Sequence, residues 1–199
     1  GHLQVFGRAD AGNQQHRDLA VLQRRHHATQ VFLVGMRRKA VVDGRAAQAV
    51  AVGDLDEVDA GSVVVIRAHG VRPEVLERAT SRGLEVIDGT CTWVIAEQKE
   101  LAALVAEGYT IVLLGTPNHP EVIGLLGFAP DAIVVDEEEE WERIPKKKRM
   151  ALISQSTQPP WKFERLAAFL VSRCHELKVI NTVCPVTIRR QEDTVAVAR

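Results

Sequence analysis

Residues 63–70, Val63-Val64-Val65-Ile66-Arg67-Ala68-His69-Gly70, form a short continuous apolar run that ends in a turn carrying a histidine. Consecutive apolar residues suit a strand covered on both faces, as in a parallel sheet. Pro73 follows where a helix would open, Val75, Leu76 and Ala79 supply an apolar face, and Gly83 closes it. Residues 84–87 then read as the next strand. Strand, helix and strand in succession make a β-α-β unit, so this stretch sets the fold class.

The same order continues toward the C-terminus. Asp88-Gly89-Thr90-Cys91 is the loop after the second strand, and Val94, Leu101, Leu104 and Val105 give a helical stripe that stops at Gly108. Residues 111–114 form a third strand, followed by Gly115-Thr116-Pro117-Asn118-His119-Pro120-Glu121. Residues 133–135 are a strand, and the acidic run 137–140 opens a short helix, where negative charge suits the helix dipole. Residues 146–149 read as an exposed basic turn and 150–153 as a strand, with Ser154-Gln155-Ser156-Thr157 as the loop after it. Pro159 starts a helix bearing Phe163, Leu166, Ala167 and Leu170; residues 179–180 are a last short strand, and 190–199 lie in a helix. The fold class is therefore α/β, built of repeated β-α units with mainly parallel sheets. Ligands in such sheets bind beyond the carboxyl ends of the strands. His69, Cys91, His119, Glu121, Ser156 and Cys184 all fall in loops that follow predicted strands. Residues 1–50 do not fit the order, beyond a strand at 30–34 and a helical turn at 19–25.

A chain of 199 residues has room for one or two domains. No apolar run approaches the roughly 18 residues of a membrane span, and the N-terminal residues lack signal-peptide regions, so a cytoplasmic location and no membrane partner are expected. Residues 1–50 hold eight Lys/Arg against three Asp/Glu, a balance of +5, and the remainder is −6. That basic segment has no nucleic-acid motif and almost no aromatic residues to stack on bases, so no nucleic-acid partner is expected.

The three cysteines, Cys91, Cys174 and Cys184, are too few and odd in number for a disulfide framework. Cys91 and Cys184 each follow a short strand and could hold an iron–sulfur cluster or a zinc ion, although clusters normally take three or four cysteines and a buried inert thiol is the commoner case. Cys174, near a helix end, reads as structural. His69 and His119 could bind phosphate, relay protons or ligate metal. Glu121 could be a general acid if burial raised its pKa, or an ordinary glutamate at a helix N-terminus. Ser156 and Thr157 offer hydroxyls and N–H groups at a helix start, which suits phosphate binding as well as capping.

Taken together these motifs resemble a known family. Residues 52–199 are similar to 4-hydroxy-3-methylbut-2-enyl diphosphate reductase, the LytB/IspH family, on Ala68-His69-Gly70-Val71, Asp88-Gly89-Thr90-Cys91, His119-Pro120-Glu121-Val122, Gln155-Ser156-Thr157 and Thr182-Val183-Cys184. The resemblance implies a three-lobed, trefoil-like arrangement of α/β units around a [4Fe–4S] cluster held by three cysteines. Cys91 and Cys184 match two of them. It implies that His69, His119, Ser156, Thr157 and Thr187 contact the substrate and that Glu121 delivers protons. The implied reaction reductively removes the hydroxyl of a small allylic diphosphate, yielding isopentenyl and dimethylallyl diphosphates, with electrons from an external donor such as flavodoxin or ferredoxin. The lobes expected on this basis are a poorly matching basic segment at 1–50, the remainder of the first lobe at 51–91, a middle lobe at 92–180 and the start of a third at 181–199.

The departures from that pattern are specific. No cysteine precedes Cys91; aligned without gaps from His69, the family's first cluster cysteine falls at Gly7 and a further histidine near Met36, although Val41-Val42-Asp43 echoes the family. A frameshifted or degraded reading frame is expected to underlie residues 1–50, and the family's Ser-x-Asn diphosphate loop is expected beyond residue 199. With two matching cysteines, weak or absent cluster binding and negligible turnover are expected. The residues leave a second reading open: a non-catalytic α/β fragment with at most phosphate-binding ability.

Overall fold

The structure is a computed structural model that describes residues 5–7, 33–36 and 48–198, with side chains from residue 51 onward. The chain divides into two compact units, Gly1–Cys91 and Thr92–Arg199.

The first unit holds one sheet of strands β1 (Val5–Gly7), β2 (Leu33–Met36), β3 (Gln48–Val52), β4 (Val63–Ile66) and β5 (Glu85–Asp88), in the order β1-β3-β2-β4-β5. β4 and β5 are parallel, joined by helix α1 (Pro73–Ser81) as the 63–70 stretch requires. The pairs β1/β3, β2/β3 and β2/β4 are antiparallel, each involving a strand within residues 5–52, while every pair between the strands that follow is parallel, as the α/β reading expects. Its core gathers Val52, Leu55, Val58, Val64, Ile66, Ala79 and Leu84. Arg72 precedes α1, Pro73 occupies its first turn, and Gly83 takes the left-handed conformation just past its end (φ 67°). Of the expected strand at 30–34, Leu33 and Val34 lie in β2; residues 30–32, the helical turn at 19–25 and Val41-Val42-Asp43 lie outside the described residues.

The β4 and β5 ends approach closely. Gly89 N–H donates to Ile66 O at 3.0 Å and Cys91 N–H to Ala68 O at 3.0 Å. A Cβ placed on Gly89 would sit 2.5 Å from Ile66 O, a backbone atom that cannot rotate away. Gly89→Ala should therefore lower stability by about 2 kcal/mol, in the range of overpacked sites. The urea midpoint checks this: it should fall with an unchanged slope, and an unchanged midpoint would mean the loop shifts freely.

The second unit holds a wholly parallel sheet, order β7-β6-β8-β9, of β6 (Thr110–Leu114), β7 (Ile133–Val135), β8 (Lys147–Ser154) and β9 (Cys174–Val179). Helices α2 (Thr92–Ala106), α3 (Pro120–Leu126), α4 (Pro160–Val171) and α5 (Pro185–Val197) complete it. Alternate residues of the central strands point to opposite faces. Ile111, Leu113, Ala151 and Ile153 pack with Leu101, Leu104, Val122 and Leu125. Val112, Leu114, Met150 and Leu152 pack with Trp141, Phe163, Leu166 and Leu170. Cover on both faces explains the unbroken apolar runs of β6 and β8.

Three local expectations are corrected. Residues 147–149 begin β8 instead of forming a turn, because pairing with β9 (Lys147 opposite Cys174) extends the strand past its apolar part. The last strand starts at Cys174, well before residue 179, for the same reason. The acidic run opens a 3-10 helix, Glu138–Arg143, seated by buried Trp141. No described helix is long and apolar enough to cross a membrane.

Candidate active site

In the second unit the post-strand loops of β6 and β8 meet at the carboxyl edge of the sheet. Gln155 N–H donates to Leu114 O at 2.8 Å, and the Gln155 side chain accepts from Thr116 N–H at 3.1 Å. Gly115 is required at this crossing, since a Cβ there would meet Val122 Cγ2 at 2.7 Å and Gln155 Cβ at 3.0 Å. The loop then runs through His119 into α3, where His119 serves as the N-cap and its Nδ1 accepts from Glu121 N–H at 3.3 Å. With Nδ1 accepting in this bond, Nε2 is the ring nitrogen left to face a ligand.

Glu121, in the first turn of α3, is 1 % exposed. Its Oε1 accepts from Ser156 N–H at 2.5 Å and its Oε2 accepts from Ser156 Oγ–H at 2.8 Å. Burial pushes the carboxyl above the usual range, and the two Ser156 donors pull it part of the way back. The two oxygens differ in what they can do. Oε1 faces a backbone N–H that cannot reverse. Oε2 faces a hydroxyl that can rotate from donor to acceptor, so Oε2 is the oxygen able to carry a proton.

Ser156 is tied in turn to the segment before α5, because its carbonyl accepts from Cys184 N–H at 2.8 Å. Cys184 is the N-cap of α5 and half-buried; Thr187 is half-buried in the first turn of that helix, and Thr157 is exposed. The second unit thus brings Glu121, Ser156, His119 and Cys184 to one sheet edge. The first unit places His69 and Cys91 in adjacent loops at the ends of β4 and β5, with His69 half-buried and Cys91 exposed.

Sequence reasoning passed over two residues here. Thr182 is buried; its Oγ1 accepts from Ser154 N–H at 2.9 Å and donates to Ser154 O at 2.6 Å, while its carbonyl accepts from Trp93 Nε1–H at 2.7 Å. Glu97, on α2, is 2 % exposed. A signal for Glu97 was available: it falls on the stripe of Val94, Leu101 and Leu104, where a charged residue is out of place.

A family model described as LytB protein matches residues 14–199. The chain belongs to the LytB family. Relatives named 4-hydroxy-3-methylbut-2-enyl diphosphate reductase include one from a Nitratiruptor species, 37% identical over 141 residues, which are 71% of this chain and 51% of the relative. Another, from Helicobacter pylori, is 36% identical over 140 residues, or 70% of this chain and 51% of the relative. The chain spans about half the length of the curated relatives it matches. A solved structure described as (E)-4-hydroxy-3-methyl-but-2-enyl diphosphate reductase, the terminal enzyme of the non-mevalonate pathway, matches with TM-score 0.66 and 33% identity, covering 88% of this chain and 65% of that one. The corresponding reductase of Plasmodium falciparum matches with TM-score 0.65 and 27% identity, over 71% of this chain and 46% of that one. The LytB family is one of iron–sulfur oxidoreductases of isoprenoid biosynthesis.

The donor set of this LytB chain does not fit a cluster held by three cysteines. Among the described residues no group of three or more His, Cys, Asp or Glu side chains has metal-holding geometry. Cys174 cannot join Cys184. It lies opposite Lys147 at the amino edge of the parallel sheet, whereas Cys184 bonds to Ser156 past the carboxyl edge. At about 3.3 Å per residue of strand, the two edges are roughly 20 Å or more apart. Its Sγ instead contacts Leu170 O at 3.4 Å, and burial pushes the thiol up.

Proposed function

We propose that this chain carries the acid end of a site for reductive dehydroxylation of 4-hydroxy-3-methylbut-2-enyl diphosphate to isopentenyl and dimethylallyl diphosphates, with turnover impaired. The observation that carries the reading is the buried Glu121 carboxyl gripped at both oxygens by Ser156. The net reaction takes up two electrons and two protons and releases water. Glu121, protonated on Oε2, gives its proton to the hydroxyl oxygen as the C–O bond breaks, so that water leaves in place of hydroxide. Ser156 N–H and Oγ–H are already aimed at the carboxylate that remains. His119 offers Nε2–H to the substrate oxygens, and His69, Thr157 and Thr187 are assigned the further polar contacts. The electrons come from an external donor of the flavodoxin or ferredoxin class. Cys91 and Cys184 are assigned to the two cluster-ligand positions of the family pattern that this chain retains. Residues 92–180 are assigned to the middle lobe, with 51–91 and 181–199 in its neighbours.

The competing reading, a fragment that binds phosphate and nothing more, is separated by calorimetry. The hydroxylated substrate, dimethylallyl diphosphate and inorganic diphosphate are titrated into the full chain and into Glu121→Ala. The substrate should bind tenfold or more tightly than dimethylallyl diphosphate, about the value of a hydrogen bond to a charged group, and Glu121→Ala should erase the difference. Equal affinity for all three in the unaltered chain would leave only the phosphate-binding reading.

A further inference from the structure

Glu97 lies in the second unit on α2, which packs against α3, the helix of Glu121. Trp93 and Glu97 are one turn apart on one face of α2. Trp93 Nε1–H donates to Thr182 O at 2.7 Å, which turns that face toward the Thr182 segment. Glu97 is 2 % exposed, and neither carboxyl oxygen has a hydrogen-bond partner among the described residues. A carboxyl so enclosed is costly as an anion, and a second negative charge beside it is costlier. Among the described residues, Glu121 is the one charged group that acts on it. The remaining polar neighbour, the Thr182 hydroxyl, favours the charged form but has its proton directed to Ser154 O at 2.6 Å. On α2 itself, Lys99 and Glu100 are exposed. Among the described residues, no lysine, arginine or histidine shifts either carboxyl.

The two acids are unequal. Glu121 receives two hydrogen bonds from Ser156, and these stabilise its anion. Glu97 has only the Thr182 hydroxyl nearby, and that proton is directed to Ser154 O. When the pair holds a single proton, it rests on Glu97.

We propose that Glu97 is a positioning residue of the Glu121 site: a second buried carboxyl that keeps its own proton when Glu121 gives one up, so that the pair then carries one negative charge and not two. This rests on the reading of Glu121 as the proton-donating group. Once Glu121 has given up its proton, the negative charge stays on the acid that Ser156 stabilises. Glu97 remains neutral, and the buried site is spared a second anion. The behaviour matches the general rule that two close carboxyls titrate as a unit, in two separated steps.

The test is a carboxyl-carbon NMR titration of the full chain with 13C-labelled glutamate, read at Glu97 and Glu121 in the unaltered protein, Glu97→Gln and Glu121→Gln. Two separated steps are expected, with Glu97 following the upper one. Glu121→Gln should move the Glu97 step down by about one pH unit or more, since the opposing charge is gone. Glu97→Gln should abolish the upper step and leave the lower one in place. A merely structural buried acid would titrate high but would not move in Glu121→Gln. That result, or a Glu97 step in the ordinary carboxylate range, overturns the proposal. If Glu121→Gln does not fold, two well-separated steps in the unaltered chain together with the surviving lower step in Glu97→Gln still support it, and their absence still sinks it. Failure of the substrate reading would appear in the calorimetry and leave this titration unchanged.

Discussion

Anaerobic reconstitution with iron and sulfide is expected to leave this chain well short of four iron atoms per molecule, and its reductase turnover is expected to be negligible. The reason is geometric. The chain has three sulfurs from cysteine, and one of them, Cys174, is anchored at the amino edge of a parallel sheet whose carboxyl edge carries Cys184. No rotamer change spans roughly 20 Å. Cluster ligation commonly draws on three or four cysteines, and Cys91 and Cys184 cannot supply that number. Iron and acid-labile sulfide per chain, with the absorbance of the reconstituted protein, check the expectation. A full cluster that survives desalting would mean that a non-cysteine ligand completes the set. Gly7 is where a third cysteine would fall on the family pattern, so Gly7→Cys should raise iron retention while Cys174→Ser leaves it unaltered.

Replacing Glu97 by glutamine should stabilise the chain increasingly as pH rises. Burial first, and the neighbouring Glu121 charge second, push Glu97 from the usual carboxylate value up to about 9. The unfolded chain ionises this group near 4.5. Between those values unfolding releases a proton, so the folded state loses ground with every unit of pH. At about 1.36 kcal/mol per unit over the 2.5 units between 4.5 and 7, the handicap at pH 7 is about 3.4 kcal/mol. It grows no further once the folded group itself ionises near 9. Below about pH 4.5 both states are protonated and the substitution should be nearly neutral. Urea unfolding of both proteins from pH 5 to pH 9 measures this. The unaltered chain should weaken steadily and Glu97→Gln should weaken much less. Parallel curves would place Glu97 in contact with water or a cation.

How far the sequence discloses this molecule depends on which force dominates locally. Residues 63–66 and 133–135 were readable to the residue because their apolar runs and turn signals coincide with the strands. The beginnings of β8 and β9 were not, since Lys147-Lys148-Arg149 and Cys174-His175-Glu176 are strand only through mutual pairing, a long-range effect that local propensity does not record. The mixed character of the first sheet is likewise set by partners distant in sequence. At the site, the motif around His119 and Glu121 pointed to the right edge of the sheet, and the strand–loop rule explains why. The grip of Ser156 on Glu121 joins residues 35 apart in sequence and needed coordinates. Glu97 was missed for a different reason. It carries no motif, and its position inside an apolar helical stripe signals burial without naming a partner.

The central claim is that Glu121, held by Ser156, meets the hydroxyl of an allylic diphosphate. The most direct measurement is the 13C carboxyl resonance of Glu121 in the full chain during addition of 4-hydroxy-3-methylbut-2-enyl diphosphate, with dimethylallyl diphosphate as the control. The expected result is a saturable shift of the Glu121 signal with the hydroxylated compound and little change with the control. A Glu121 signal that stays still with both, or moves equally with both, would contradict it.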